Sequence, residues 1–358
     1  MKKLLLPILL LLLLVSACGE TEERAADSTE ETKLKIHTTV YPLTYFTERI
    51  GRDRVEVQSI YPAGANEHTF EPTQQDMLSL ADADAVLYIG LGLEGFIDNA
   101  KKTLKNEQVK FVATADAISK SELGEGHDHS HEATEEEQGH EHAATEEEHA
   151  HDHEATEEEH AHDHEATEEE HDHEHEATEK DHDHGEFDPH IWISPALSQK
   201  LAESIKNELI AQDKEHAEEY EANYQELVDE LKALDQSFQE MAANAQKKTF
   251  FVSHAAFGYL ADSYGLQQVA VAGLNSQDEP SQKQLVEIVK QAEELGIRYI
   301  AFEQNVSSRL TEVIQKEVNA EAVLLHNLSV LTQEEIDQGE TYFTLMEKNR
   351  ETFEKILE

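Results

Sequence analysis

From residue 215 to residue 245 the chain runs without a glycine or proline, and Tyr220, Tyr224, Leu227, Leu231, Leu234, Phe238 and Met241 recur at alternating steps of four and three. That spacing lines them along one face of an α-helix. A helix of roughly 30 residues is about 45 Å long, more than a small domain is wide. It therefore has to run between two bodies, and both flanks supply one. Before it, residues 34–40, 55–60, 85–89 and 109–113 read as strands, with helical stretches at 43–50, 73–81, 96–104 and 198–211. Tyr41-Pro42 reads as the stop of the first strand. After it, strands at 249–252, 268–271, 299–302 and 322–325 alternate with helices at 254–264, 282–295 and 308–318, and a last helix starts at Gln333. This alternation predicts an α/β fold of two lobes, residues 34–214 and 247–358. Each is a small, mostly parallel sheet flanked by helices, and one long rigid helix, residues 215–246, joins them. Ligands in such sheets bind beyond the carboxyl ends of the strands.

The first lobe is interrupted. Residues 124–186 hold almost nothing that could build a core, and an 11-residue period runs through them, with copies at 132–142, 143–153, 154–164, 165–175 and 176–186. Sixteen of the 22 histidines lie between His127 and His184. Low hydrophobicity and dense like charge predict disorder here. Imidazole and carboxylate are both ligands for zinc and copper, so the segment is expected to capture or sense metal with no fixed geometry. Of the formal net charge of -49, residues 122–186 carry -27, from 28 Asp and Glu against one Lys. A chain so acidic is not expected to bind nucleic acid.

At the N-terminus, Met1-Lys2-Lys3 precedes 12 apolar residues, Leu4 to Val15, too few to span a bilayer but fitting for a secretory signal. They end in Val15-Ser16-Ala17-Cys18-Gly19, which resembles a bacterial lipobox around the single cysteine. The expected order is a signal peptide over residues 1–17, lipid on the thiol of Cys18, and a flexible tether over residues 18–33. The protein would then work outside the cytoplasmic membrane, held there by its acyl chains. One cysteine excludes an intramolecular disulfide and any multi-thiolate metal site.

Six histidines remain outside the repeat: His37, His68, His190, His216, His254 and His326. His37 lies within a strand and reads as a packing residue, and His216 lies in a charged stretch and reads as solvated. His68, His190 and His254 differ. Each occupies a turn beside aromatic, Pro or Gly residues, at strand exits in both lobes, and together they suggest an imidazole site for a borderline metal.

The surrounding motifs carry a resemblance. Gly64-Ala65-Asn66-Glu67-His68-Thr69-Phe70-Glu71-Pro72, Asp188-Pro189-His190-Ile191-Trp192 and the stretch from Ser253 to Tyr259 are similar to those of zinc-binding lipoproteins of bacterial metal ABC importers. That group lies within the metal-specific solute-binding proteins and adhesin-like lipoproteins. Ala272-Gly273-Leu274, Glu279-Pro280-Ser281 and Phe302-Glu303-Gln304-Asn305-Val306-Ser307-Ser308 match as well, so the likeness runs from about Leu34 to the C-terminus. It implies that His68 and His190 from the first lobe and His254 from the second bind Zn2+. Manganese members usually carry glutamate at the third position, so His254 favours zinc over Mn2+. Many relatives place a carboxylate in the last loop as fourth ligand, where this chain has Ser329 within Leu328-Ser329-Val330-Leu331. The fourth ligand is left between water, ranked first, Glu67, Glu303 and His326.

The leading function is zinc capture outside the cell and delivery to a membrane permease driven by a cytoplasmic ATPase, by a protein expected to be a monomer and not an enzyme. Three imidazoles and a water would also suit a zinc hydrolase, but the sequence has no His-Glu-x-x-His motif and no phosphate-binding Gly-x-x-x-x-Gly-Lys-Ser/Thr loop. A surface adhesin, or a buffer of zinc or another divalent metal such as manganese, is the third reading.

Overall fold

A computed structural model of the chain describes residues 33–124, 187–304 and 308–358. The signal peptide, Cys18, the tether and the histidine-rich repeat lie outside the described residues. The first lobe follows the expected alternation: β1 (Leu34–Thr38), α1 (Tyr41–Gly51), β2 (Val55–Ser59), α2 (Gln74–Ala81), β3 (Ala85–Tyr88), α3 (Ile97–Thr103), β4 (Lys110–Ala113) and α4 (Pro195–Gln212). The long helix α5 (Ala217–Asn244) comes next. The second lobe has β5 (Thr249–His254), α6 (Gly258–Tyr264), β6 (Gln267–Ala272), α7 (Gln282–Glu294), β7 (Tyr299–Phe302), α8 (Arg309–Glu317), β8 (Glu321–Leu324), α9 (Gln333–Gln338) and α10 (Tyr342–Ile356).

The sheets are equivalent. Their orders are β2-β1-β3-β4 and β6-β5-β7-β8, and every pairing is parallel. In each, the chain moves to one side of the first strand and then crosses to the other. This leaves a crevice at the carboxyl end of that strand, where the order reverses.

Two expectations shift by a few residues, for physical reasons. Pro42 does not merely end the first strand; it occupies the first turn of α1, where a missing N–H costs nothing. His254 does not open a helix. It ends β5, because its backbone still pairs in register with Ala272 of β6, and the helix begins only at Gly258.

Along α5, Tyr220, Leu227, Leu231, Leu234, Phe238 and Met241 are buried as the periodicity requires, while Tyr224 is half-buried under Lys206. The helix packs on α1 and α4 of the first lobe and on α6 and α10 of the second. A ladder of Arg49–Glu230, Arg52–Glu226 and Arg54–Glu219 pairs fixes it to the first lobe. It is not the only tie, however. The C-terminal helix α10 returns to the first lobe, where Tyr342 packs edge-on against Phe46 at 5.0 Å and its hydroxyl donates to the Trp192 carbonyl at 3.1 Å. One hydrophobic core, from Ile36 to Leu357, therefore runs through both lobes, and a smaller one around Phe251 and Ile300 lies under α7 and α8.

Candidate metal centre

The turn between β2 and α2 carries the first histidine. Gly64 adopts φ +74°, which a side chain would strain, and its amide donates to Leu331 of the second lobe at 3.0 Å. The Asn66 side-chain oxygen accepts from the His68 amide at 3.0 Å, while Asn66 Nδ2 donates to Ser276 Oγ at 3.0 Å. This fold-back directs the neighbouring Glu67 and His68 side chains to one point, which an extended strand would send to opposite faces. His190 follows Pro189 and leads into a single 3-10 turn, Ile191–Ile193, with Trp192 against its ring at 5.3 Å. His254 arrives from the end of β5.

These three histidines converge. His190 Nε2 is 3.3 Å from His68 Nε2 and 3.4 Å from His254 Nε2, and the rings stand steeply tilted to one another at centroid separations of 5.2 to 5.8 Å. Nitrogens bound to a tetrahedral zinc at 2.0–2.1 Å would be about 3.3–3.4 Å apart. His190 and His254 are fully buried. Glu67 belongs to the same cluster: one ligand atom from each of Glu67, His68, His190 and His254 lies within 4.8 Å of the others. Of the candidates for the fourth position, Glu67 is the one whose carboxylate lies in this cluster.

The ring orientations are held from behind. Asp188 Oδ1 accepts from the His190 amide at 2.9 Å and lies 2.8 Å from its Nδ1. Glu303 Oε2 lies 2.6 Å from His254 Nδ1. A carboxylate beside Nδ1 favours the tautomer with its proton there, which leaves the Nε2 lone pair for an ion, and a ring polarised this way is a stronger ligand. Burial opposes charge on both partners of the second pair. The mutual attraction outweighs it, so His254 is raised above the ordinary histidine range, and Glu303, helped by Ser253 and Asn327, is held below the usual carboxylate range.

The remaining candidates are spent elsewhere. His326 Nδ1 accepts from the Leu328 amide at 2.8 Å, and its Nε2 lies 3.0 Å from Glu335. His326 thus braces the last loop, in which Leu328 takes φ +58°. His37 is buried beside Ser79 Oγ at 3.0 Å, away from the cluster, and burial lowers its pKa. His216 is not simply solvated, for it pairs with Asp213 at 2.6 Å in the turn before α5. Sequence reasoning missed Asn327. Its Nδ2 donates to Glu303 at 3.1 Å, its carbonyl accepts from Trp192 Nε1 at 2.7 Å, and its Oδ1 accepts from the amide and hydroxyl of Ser329. No motif marks such a residue. Asp188 was legible two positions before His190, but only as part of a motif. Around Asp188, its amide donates to the Gly124 carbonyl at 3.3 Å, and Tyr259 OH donates to its carbonyl at 2.8 Å.

A buried set of three imidazoles and a carboxylate, braced by two further carboxylates, can hold a divalent ion of zinc's preferences. The comparisons agree with that chemistry. A family described as zinc-uptake complex component A, periplasmic, matches residues 36–356. The chain is 33% identical over 337 residues to the high-affinity zinc uptake system protein ZnuA of Bacillus subtilis, covering 94% of this chain and 92% of that one. It is 34% identical over 323 residues to the zinc-binding protein AdcA of Streptococcus pyogenes serotype M3, covering 90% of this chain but 56% of that one, so it spans little more than half of the AdcA relatives it matches. Among solved structures, the Zn(II)-bound ZnuA-like domain of Streptococcus pneumoniae AdcA is similar with a TM-score of 0.66 and 29% identity, over 91% of this chain and 99% of that domain. The chain belongs to the zinc-uptake component A family.

Proposed function

We propose that this protein captures Zn2+ at the His68–His190–His254 centre and delivers it to the permease of a metal ABC importer, whose cytoplasmic ATPase drives uptake. The observation that carries the reading is the Nε2 triangle, with edges of 3.3 and 3.4 Å at His190 and with carboxylates behind two of its rings. Capture and release require ligands and no turnover, so the protein is read as a binding protein and not an enzyme. It acts as a monomer outside the cytoplasmic membrane, anchored by acyl chains on Cys18. Among the described residues no helix is long and apolar enough to cross a membrane. The histidine-rich residues 124–186 add weaker metal equivalents.

The test is uptake. In a host lacking its own binding component, the wild-type chain, expressed with a matching permease and ATPase, should restore growth under zinc limitation, and His190→Ala should not. Equal rescue by His190→Ala would refute delivery from this centre.

A further inference from the structure

We infer that Tyr259 is a positioning residue of the zinc centre: its hydroxyl, carried by the second lobe, fixes the first-lobe backbone from which Asp188 orients the His190 ring. The inference rests on the zinc-binding reading above and extends it to a residue behind the ligands. Residues 188–190 belong to no helix or strand, so no regular hydrogen-bond ladder holds them. Tyr259 is buried, and its hydroxyl sits between two backbone groups, the Gly124 amide at 3.2 Å and the Asp188 carbonyl at 2.8 Å. An amide only donates and a carbonyl only accepts, so the phenol accepts from the first and gives its proton to the second. The Asp188 amide closes the ring by donating to the Gly124 carbonyl at 3.3 Å.

The anchor reaches the imidazole in two short steps. The Asp188 carbonyl belongs to the peptide that joins Asp188 to Pro189, and a proline fixes its own φ and restricts the residue before it. Holding that carbonyl therefore sets both the Asp188 side chain and the course of the chain into His190. Asp188 Oδ1 then accepts from the His190 amide at 2.9 Å and faces its Nδ1 at 2.8 Å. Tyr259 lies in α6, the element that follows His254 along the chain. The segment that delivers the second-lobe imidazole thus also holds the brace of a first-lobe imidazole. Tyr264, on the same helix, supplies the comparison. Its hydroxyl donates to Asp235 Oδ1 at 2.8 Å and its ring stacks on Phe238 at 5.6 Å, which ties α6 to α5 instead.

The tests are zinc affinity by chelator competition, the visible spectrum of the protein loaded with one equivalent of cobalt(II), and the melting temperature of the metal-free protein. They use the full chain and its Tyr259→Phe, Tyr264→Phe and Asp188→Ala variants, with the Asp188→Ala, Tyr259→Phe double variant. Tyr259→Phe keeps the ring and should lose about tenfold in zinc affinity, the low end of what outer-shell partners bring. Its cobalt spectrum should shift as the His190 ring turns. Tyr264→Phe should melt lower and keep wild-type affinity and spectrum, which separates positioning from loss of stability. Asp188→Ala should lose more affinity than Tyr259→Phe, and adding Tyr259→Phe to it should lose little more, because the side chain that Tyr259 positions is gone. Wild-type affinity and spectrum in Tyr259→Phe, equal losses in Tyr259→Phe and Tyr264→Phe, or fully additive losses in the double variant would each overturn this assignment alone. A wild type with no tight zinc equivalent would overturn the zinc reading and this inference with it.

Discussion

His254 Nδ1 lies 2.6 Å from the Glu303 carboxylate, and both side chains are fully buried, one at the end of β5 and the other just past β7. The pair sits where the second sheet reverses its strand order. It turns His254 Nε2 toward the two histidines of the first lobe. Glu303→Gln keeps the shape and removes the charge, so zinc affinity should fall about 10- to 100-fold while the fold is kept. His254→Ala should do more, since it strands the Glu303 charge in the core, with a loss of metal-free stability on the order of 3 kcal/mol. Chelator competition and chemical denaturation measure the two effects. Wild-type affinity in Glu303→Gln would show that the carboxylate does not set the ring.

Gly258 is the second test of the supporting shell. A Cβ built there would lie 2.9 Å from Asp188 Oδ2, so the glycine is what lets the Asp188 carboxylate approach the start of α6. Gly258→Ala should displace Asp188, cost about 1–3 kcal/mol of stability through overpacking, and lower zinc affinity about tenfold through the unsupported His190 ring. Unchanged affinity and melting temperature would show that Asp188 has room to move.

The fold and the histidine triad were legible because their signals are local. A seven-residue apolar stripe specifies α5, turn residues flank His68 and His190, and a strand end carries His254. Glu303 and Glu67 were visible only as candidates, since their roles depend on which atoms lie within a few ångströms after folding. Asn327 left no trace at all, because one ordinary polar residue in a loop says nothing of the Trp192, Glu303 and Glu67 groups it reaches. The return of α10 to the first lobe was hidden for the same reason: nothing local to Tyr342 says that Phe46 and the Trp192 carbonyl lie against it.

Acid stability should carry the imprint of the last loop. Burial pushes the Glu335 carboxyl up, but His326 and the Thr332 amide outweigh it and hold it down to about 2, against an unfolded value of 4.5. A carboxyl lowered on folding stabilises fully above its unfolded pKa and loses that contribution as pH falls from 4.5 toward about 2. Glu335→Gln should therefore be less stable than the wild type at pH 7, by about 1 kcal/mol given the group's partial exposure, and the difference should shrink below pH 4.5. Denaturation curves across this range check it, and a difference independent of pH would count against the pairing.

Zinc should move the lobes little. The helix α5 is one stiff tie, but the continuous core and the cross-lobe hydrogen bonds are as restrictive. These bonds include Tyr41 N to Ser329 O at 2.8 Å, Gly64 N to Leu331 O at 3.0 Å and Trp192 Nε1 to Asn327 O at 2.7 Å. Opening the lobes widely would break all of them and expose Trp192 and Tyr342. Small-angle scattering of protein lacking residues 125–186 should give nearly the same radius of gyration with and without zinc. A large compaction on binding would contradict the rigid arrangement.

The central claim is that one preorganised centre, and not the histidine-rich segment, holds zinc tightly. Chelator-competition titration of the chain lacking residues 125–186, alone and with His68, His190 and His254 all changed to Ala, tests it most directly. The deletion should retain one tight zinc equivalent and lose only weak ones, and the triple variant should have no tight equivalent. Loss of the tight equivalent on deletion, or its survival in the triple variant, would contradict the account.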